Sequence, residues 1–239
     1  MGVSVLVSKR KFDIVVSLLT SVLWVPVLLA GALAIAIREG RPVFYFSRRK
    51  IGAEIKSVPK FRTMVRDAEK LCNRETVPIS NNIRFLNTPT DSPLYTPVGR
   101  VIERFALTEL PQLLLVLKNE MSLVGNRPLP ENVIDSLKEH YPKVNARFDT
   151  PAGLTGPAQL VGREKITDSE RLEIEITYCQ IASRHYSSLL DFKILLYTVL
   201  ISLRVIPAMT VNEVKWLMLH DVNADVVESV NNSLGSFES

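Results

Sequence analysis

From Ile14 to Ile37 the chain runs for 24 residues without an ionisable side chain, IVVSLLTSVLWVPVLLAGALAIAI. As a straight helix this stretch reaches about 36 Å, enough to cross a hydrocarbon core of about 30 Å. Two features argue against a simple span. Pro26 stands near the midpoint, where it removes a backbone hydrogen bond and clashes with the preceding turn. Both flanks are basic: Lys9, Arg10 and Lys11 before, then Arg38, Arg41, Arg48, Arg49 and Lys50 after. Basic flanks favour the cytoplasmic side, and here both ends carry them. The pattern predicts a re-entrant helix broken at Pro26, with arms of about 18 Å and 16 Å dipping into one leaflet. Ser17, Thr20 and Ser21 lie where carbonyls freed by the break need donors. A straight span is the competing reading. So is a signal peptide cut near Ala30-Gly31-Ala32, which the strongly basic segment after it disfavours.

Beyond the apolar run, Pro42–Phe46 and Ile55–Phe61 read as strands of a hairpin, with Arg48–Gly52 as the turn. Residues 67–97 mix a short helical stretch with Asn, Thr, Pro and Asp, and read as a long surface excursion. A helix start is predicted at Thr108, with Thr108 as N-cap and Glu109 and Pro111 in the first turn. Leu110, Leu113, Leu114 and Leu117 then mark one apolar face. Helices are predicted over 131–141 and about 168–184, separated by a Gly/Pro-rich loop, Pro151–Gly162. A second apolar stretch, Leu189–Leu203, carries Asp191 and Lys193 and reads as a core or interfacial helix. The tail from about residue 222 reads as frayed.

Composition narrows the classes. At 239 residues, 46% hydrophobic and 23% charged, the chain is neither a disordered polyelectrolyte nor a multi-span membrane protein. Cys72 and Cys179 are too far apart for a CxxC site or a disulfide framework and read as reduced thiols. His140, His185 and His220 have no zinc spacing. The net charge of +4 conceals an asymmetry: residues 1–66 hold 12 Lys and Arg against 3 acidic residues, and the remainder is net acidic. A basic block around an apolar run points to anionic lipid or phosphate ligands rather than nucleic acid, for which no aromatic-rich strand or recognition helix is present.

No Walker A, GxGxxG or GxSxG pattern occurs. What remains is a set of cations at turns: Lys60-Phe61-Arg62-Thr63-Met64 at a strand end, Gly125-Asn126-Arg127-Pro128, and Gly162-Arg163. Singly, each reads as a surface salt-bridge partner. Together, beside a membrane-dipping helix, they describe a pocket for a diphosphate at a lipid surface. Glu109, at the positive end of a helix dipole, is either a Mg²⁺-holding carboxylate or an ordinary capping one.

The ordered set KRKFD (9–13), the apolar hairpin with Pro26, KFRTM (60–64), TELPQL (108–113), MSLVGNRPL (121–129), GLTG (153–156), GR (162–163) and LDFKIL (190–195) resembles the bacterial sugar transferases, the monotopic polyprenyl-phosphate phosphoglycosyl transferases. The resemblance covers about residues 9 to 206. It implies an α/β, mostly α, fold: a re-entrant membrane helix broken at Pro26, a small strand hairpin, and amphipathic helices packed at the membrane surface. The implied division is a membrane-dipping hairpin over 1–41, a cytoplasmic transferase domain over 42–206, and a C-terminal helix and tail over 207–239. The implied activity moves a phospho-sugar from a nucleoside diphosphate sugar to polyprenyl (undecaprenyl) phosphate, with Mg²⁺, on the cytoplasmic face of the bacterial inner membrane. It begins a capsule, O-antigen or exopolysaccharide. Lys60, Arg62, Arg104, Arg127 and Arg163 are the expected phosphate-binding cations, and Glu109 the expected metal ligand. Membrane lipids and a homodimeric copy are the further expected partners.

The family's DELPQL is TELPQL here, so Thr108 stands at the nucleophile position, and GPRP is GNRP. A carboxylate is an anion at pH 7, whereas an alcohol needs a base. Four accounts follow: direct attack by polyprenyl phosphate, Glu109 as nucleophile, Thr108 activated by an unidentified base, or a catalytically impaired member that acts as a sugar-nucleotide-binding or regulatory subunit.

Overall fold

The structure, a computed structural model, describes residues 2–71, 91–162, 166–220 and 222. Cys72, Arg163, most of the predicted 67–97 excursion and the tail beyond Val222 lie outside these residues. The described part is mostly helical with one strand hairpin.

Two helices lead the chain, α1 (Val3–Leu19) and α2 (Ser21–Arg38). The interruption lies at Thr20, not at the predicted Pro26, which is inside α2. Proline lacks the donor for the carbonyl one turn earlier, yet α2 continues through it. Around Thr20 the carbonyls of the last turn of α1 have side-chain donors: Thr20 Oγ1 to Val16 (2.7 Å), Ser21 Oγ to Leu18 (2.7 Å) and the Trp24 indole to Ser17 (2.9 Å). Ser17, predicted to help, has its own hydroxyl buried without a partner among the described residues.

Helix α1 begins well before the apolar run and is inside out. Lys9, Asp13 and Ser17, one turn apart, are 1%, 3% and 0% exposed, while Leu19 is 74% exposed. Lys9 Nζ meets Asp191 Oδ2 at 2.7 Å and Tyr178 OH at 3.1 Å. The Asp191 carboxylate also accepts from Tyr178 (2.6 Å) and Tyr186 (3.1 Å). Asp13 accepts from Ser122 Oγ and the Leu123 N–H. Arg10 donates to the carbonyls of Val116 and Leu117. Two of the three cations read as a basic flank of the apolar run are therefore tied into the fold. In α2, Trp24, Leu28 and Ile35 pack inward, whereas Val22, Leu23, Leu29, Leu33 and Ile37 face outward. Among the described residues α2 is the one helix long and apolar enough to cross a membrane.

Strands β1 (Phe44–Ile51) and β2 (Glu54–Phe61) pair antiparallel from Phe44↔Phe61 to Ile51↔Glu54. The turn is Gly52-Ala53, with Gly52 at φ +60°, so Arg48, Arg49 and Lys50 belong to β1 and not to the predicted turn. A short α3 (Ala68–Leu71) and α4 (Pro97–Arg104) follow. The helix expected at Thr108 starts one residue later, as a 3₁₀ turn (Leu110–Gln112) with Glu109 at the N-cap, and continues as α5 (Leu113–Leu117). Because the first turn is wound tighter, the buried set is Leu113, Leu115 and Val116, and Leu114 is exposed.

Strand β3 (Ser122–Val124) pairs in parallel with β4 (Gly153–Thr155), which lies inside the predicted loop 151–162, as does α7 (Pro157–Leu160). Between the strands run α6 (Glu131–His140) and a 3₁₀ segment (Pro142–Phe148). Helix α8 (Asp168–Arg184) matches its predicted limits, and a capping box of Thr167 and Glu170 fixes its start. Helices α9 (Ser188–Ser202) and α10 (Val211–Leu219) are the last elements among the described residues. The main core joins α2, the hairpin, α5, β3, α8, α9 and α10 around Ile35, Val116, Val124, Ile174 and Ile194. A second core lies under α6, with Leu129, Ile134, Leu137, Val144 and Leu172.

Candidate active site

The hairpin, the 3₁₀ turn and the loop after β3 converge on one carboxylate. Alternation along β2 points Lys56, Val58 and Lys60 to the same face, and the register sets Arg49 of β1 opposite Lys56. The Phe61 N–H donates to the Thr108 carbonyl (2.9 Å), fixing β2 against the start of the 3₁₀ turn. Arg127 follows β3 in the turn Gly125–Pro128. That turn lies against β4 because Gly125 and Gly153 approach backbone to backbone: a Cβ on Gly153 would come within 2.1 Å of the Gly125 nitrogen.

Glu109 Oε1 accepts from Lys60 Nζ at 2.7 Å and from Arg127 Nη2, while Oε2 accepts from Arg127 Nη1 at 2.7 Å. This is a forked guanidinium–carboxylate pair with an ammonium on one oxygen. All three side chains keep limited exposure, 16–20%, so the trio is reachable but poorly hydrated. Arg49 and Gln112 line the same open cavity, with Val58, Pro128, Gly153 and Leu154 as its other walls. Burial lowers the Lys60 ammonium from its ordinary 10.5 to about 8; Glu109 opposes this, and Arg127 and Arg49 add to it. Among the described residues the cavity wall carries three cations, Arg49, Lys60 and Arg127, and one carboxylate, a positive balance suited to a phosphorylated ligand.

The structure thus brings together Lys60, Glu109 and Arg127 of the residues singled out by sequence. Arg62 is buried elsewhere, donating to the carbonyls of Pro42 (2.6 Å), Glu39 (3.0 Å) and Gly40 (2.8 Å), where it ties the end of α2 to the hairpin. Arg104 is exposed at the end of α4, away from the cavity walls. Arg163 lies outside the described residues. Thr108 is not the predicted N-cap, since Glu109 holds that position. The Thr108 hydroxyl is buried without a hydrogen-bond partner among the described residues, and Thr108 does not line this cavity. Arg49 and Gln112 were missed. The signal for Arg49 was period-2 alternation, masked by assigning 48–52 to a turn. Among the described residues no group of three or more His, Cys, Asp or Glu side chains is placed to hold a metal ion.

Residues 4–205 match the bacterial sugar transferase family, and the chain belongs to that family, a group of transferase enzymes. It is 30% identical over 201 residues to the exopolysaccharide production protein ExoY of Sinorhizobium fredii, across 81% of this chain and 84% of that protein. It is 33% identical over 203 residues to the UDP-glucose:undecaprenyl-phosphate glucose-1-phosphate transferase of Caulobacter vibrioides, across 82% and 70%. A third relative is the undecaprenyl-phosphate galactose phosphotransferase of Salmonella typhimurium, 32% identical over 179 residues, across 71% of this chain and 36% of that protein.

Proposed function

We propose that this chain transfers a sugar 1-phosphate from a nucleoside diphosphate sugar to undecaprenyl phosphate or a similar polyprenyl phosphate. The nucleoside monophosphate is released, and the product begins a surface glycan at the cytoplasmic face of the inner membrane. The observation that carries this reading is the Lys60–Glu109–Arg127 trio, with Arg49 beside it, in a fold whose first two helices turn leucine and valine outward. Hydrocarbon accepts such a surface; water does not. The names of the relatives agree with a polyprenyl acceptor and a sugar phosphate donor.

In this reading Arg127, Lys60 and Arg49 grip the diphosphate, and Arg127 turns part of its fork from Glu109 to phosphate oxygen. The acceptor phosphate, already an anion, attacks the phosphorus that bears the sugar. The new P–O bond forms as the bond to the nucleoside monophosphate breaks, and the cations neutralise charge on the departing oxygen. Thr108 has no base within hydrogen-bond reach among the described residues, so an alkoxide there is unsupported. Among the described residues Glu109 is the only carboxylate in the cavity wall. One carboxylate beside a diphosphate is a donor set that suits Mg²⁺, which keeps several waters. Bound there, Mg²⁺ would supply charge neutralisation at the phosphate oxygens.

The test is steady-state kinetics with purified enzyme, sugar nucleotide, polyprenyl phosphate and Mg²⁺. Direct attack gives intersecting initial-rate patterns and no nucleoside monophosphate release without acceptor. Parallel patterns, or release without acceptor, mean a covalent intermediate and overturn that step. The orphaned Thr108 hydroxyl favours a second reading, a catalytically impaired member that only binds sugar nucleotide. There Thr108→Asp produces a large gain in turnover, and Glu109→Gln changes little. Under the first reading Glu109→Gln abolishes transfer.

A further inference from the structure

The GNRP turn carries its own brace. Asn126, 4% exposed, donates from Nδ2 to the Arg147 carbonyl (2.9 Å), the Glu175 carbonyl (3.2 Å) and Cys179 Sγ (3.1 Å). In return Arg147, 2% exposed, donates from Nη2 to the Arg127 carbonyl at 2.9 Å, while its Nε is held by Glu175 Oε2 at 2.8 Å. The two side chains thus cross-link two backbone segments: that of residue 126 holds the carbonyl of residue 147, and that of residue 147 holds the carbonyl of residue 127. Glu175 sits mid-way along α8, so the brace refers the turn to a 17-residue helix.

We infer that Asn126 and Arg147 are positioning residues that aim the Arg127 guanidinium at the donor diphosphate. This rests on the proposed transferase reading, which makes Arg127 a phosphate ligand. The chemistry at residue 126 supports aim over stability. Asn126 Oδ1 is buried and has no hydrogen-bond partner among the described residues, and a bare buried acceptor is a net cost. A fork that must meet phosphate oxygens at two points tolerates little displacement, and misplacement of about 1 Å costs up to about a hundredfold in rate.

Two variants test this, with the full chain in detergent or nanodiscs. Asn126→Leu is near-isosteric and removes both the brace and the bare acceptor. Its melting temperature is expected within a few degrees of the parent, or above it, while kcat/KM for the sugar nucleotide falls roughly ten- to a hundredfold. Arg147→Lys keeps a cation for Glu175 and loses the second arm to the Arg127 carbonyl; it is expected to raise KM for the donor and leave KM for polyprenyl phosphate unchanged. Each variant is then repeated in an Arg127→Lys background, with binding of the nucleoside diphosphate sugar read by calorimetry. The effects at 126 and 147 should largely vanish there. Full additivity, or activity lost only in step with melting temperature, overturns the inference. If the parent shows no transfer but binds sugar nucleotide, the calorimetric cycle still decides the brace, and only the transferase reading fails.

Discussion

Helices α1 and α6 are both amphipathic, and they face opposite ways. In α6, Val133, Ile134 and Leu137 are buried while Asp135, Lys138 and Glu139 are exposed, the arrangement water favours. In α1 the charged and polar side chains Lys9, Asp13 and Ser17 are buried, and Leu6, Val7, Val15 and Leu18 are exposed. Under the proposed membrane-surface reading, the difference lies in what surrounds each helix. A soluble helix is held by apolar burial, which fades if the surroundings become apolar too. A helix whose outer face already meets hydrocarbon gains little from apolar packing and must be held by polar bonds. The Lys9–Asp191–Tyr178 cluster is that bond set. Helix α9 repeats the theme: Asp191 and Ile194 point inward, while Leu189, Phe192, Leu196, Val199 and the C-cap Leu203 form an exposed apolar row at helical spacing.

The comparison is broken most severely at Asp191. Asp191→Ala leaves the Lys9 ammonium buried without its counter-ion and is expected to cost about 3–5 kcal/mol, read as thermal unfolding in detergent. A loss below 1 kcal/mol would mean that α1 is held by apolar contact after all. Leu137→Ala in the α6 core should cost about 2–4 kcal/mol by the ordinary cavity mechanism, whatever the surrounding medium. Val22→Lys separates the media: it should leave detergent unfolding nearly unchanged and shift the protein out of the membrane fraction, at about 2–3 kcal/mol of insertion free energy. Equal recovery in membranes would contradict an apolar environment for α2.

The smallest effect sharpens the site itself. With its ammonium held at about 8 by burial, Lys60 loses charge above that pH, so kcat/KM for an anionic donor should fall on the alkaline side. Lys60→Arg should flatten that limb. The stability effect has the opposite sign. Between pH 8 and the ordinary 10.5 the folded state binds fewer protons than the unfolded one, so Lys60 favours the folded state more as pH rises across that window.

Much of the fold was legible because local chemistry wrote it. The capping box at Thr167 and Glu170 fixes α8, and the hairpin around Gly52 was legible in outline, with Arg48–Lys50 assigned to its turn instead of to β1. The misses share a cause, non-local pairing. Strands β3 and β4 are three residues each and pair in parallel across about thirty residues of chain, which leaves no local period to read. Hydropathy treats Lys9 and Arg10 as flanks because it cannot foresee Asp191 or the end of α5. Of the site, Glu109, Arg127 and Lys60 were readable as ionic residues at turns and strand ends. Arg62 shared their motif and differs only in that the chain end of α2 offers it carbonyls first.

Arg10 holds the last carbonyls of α5, Lys9 balances Asp191, and Asp13 receives the Leu123 N–H at the strand before the Arg127 turn. The leading helix is thus a splint for the catalytic half rather than a detachable mooring. Clipping it away to obtain a water-soluble enzyme would strip three supports at once, and engineering for solubility does better to repaint its greasy exterior than to cut it off.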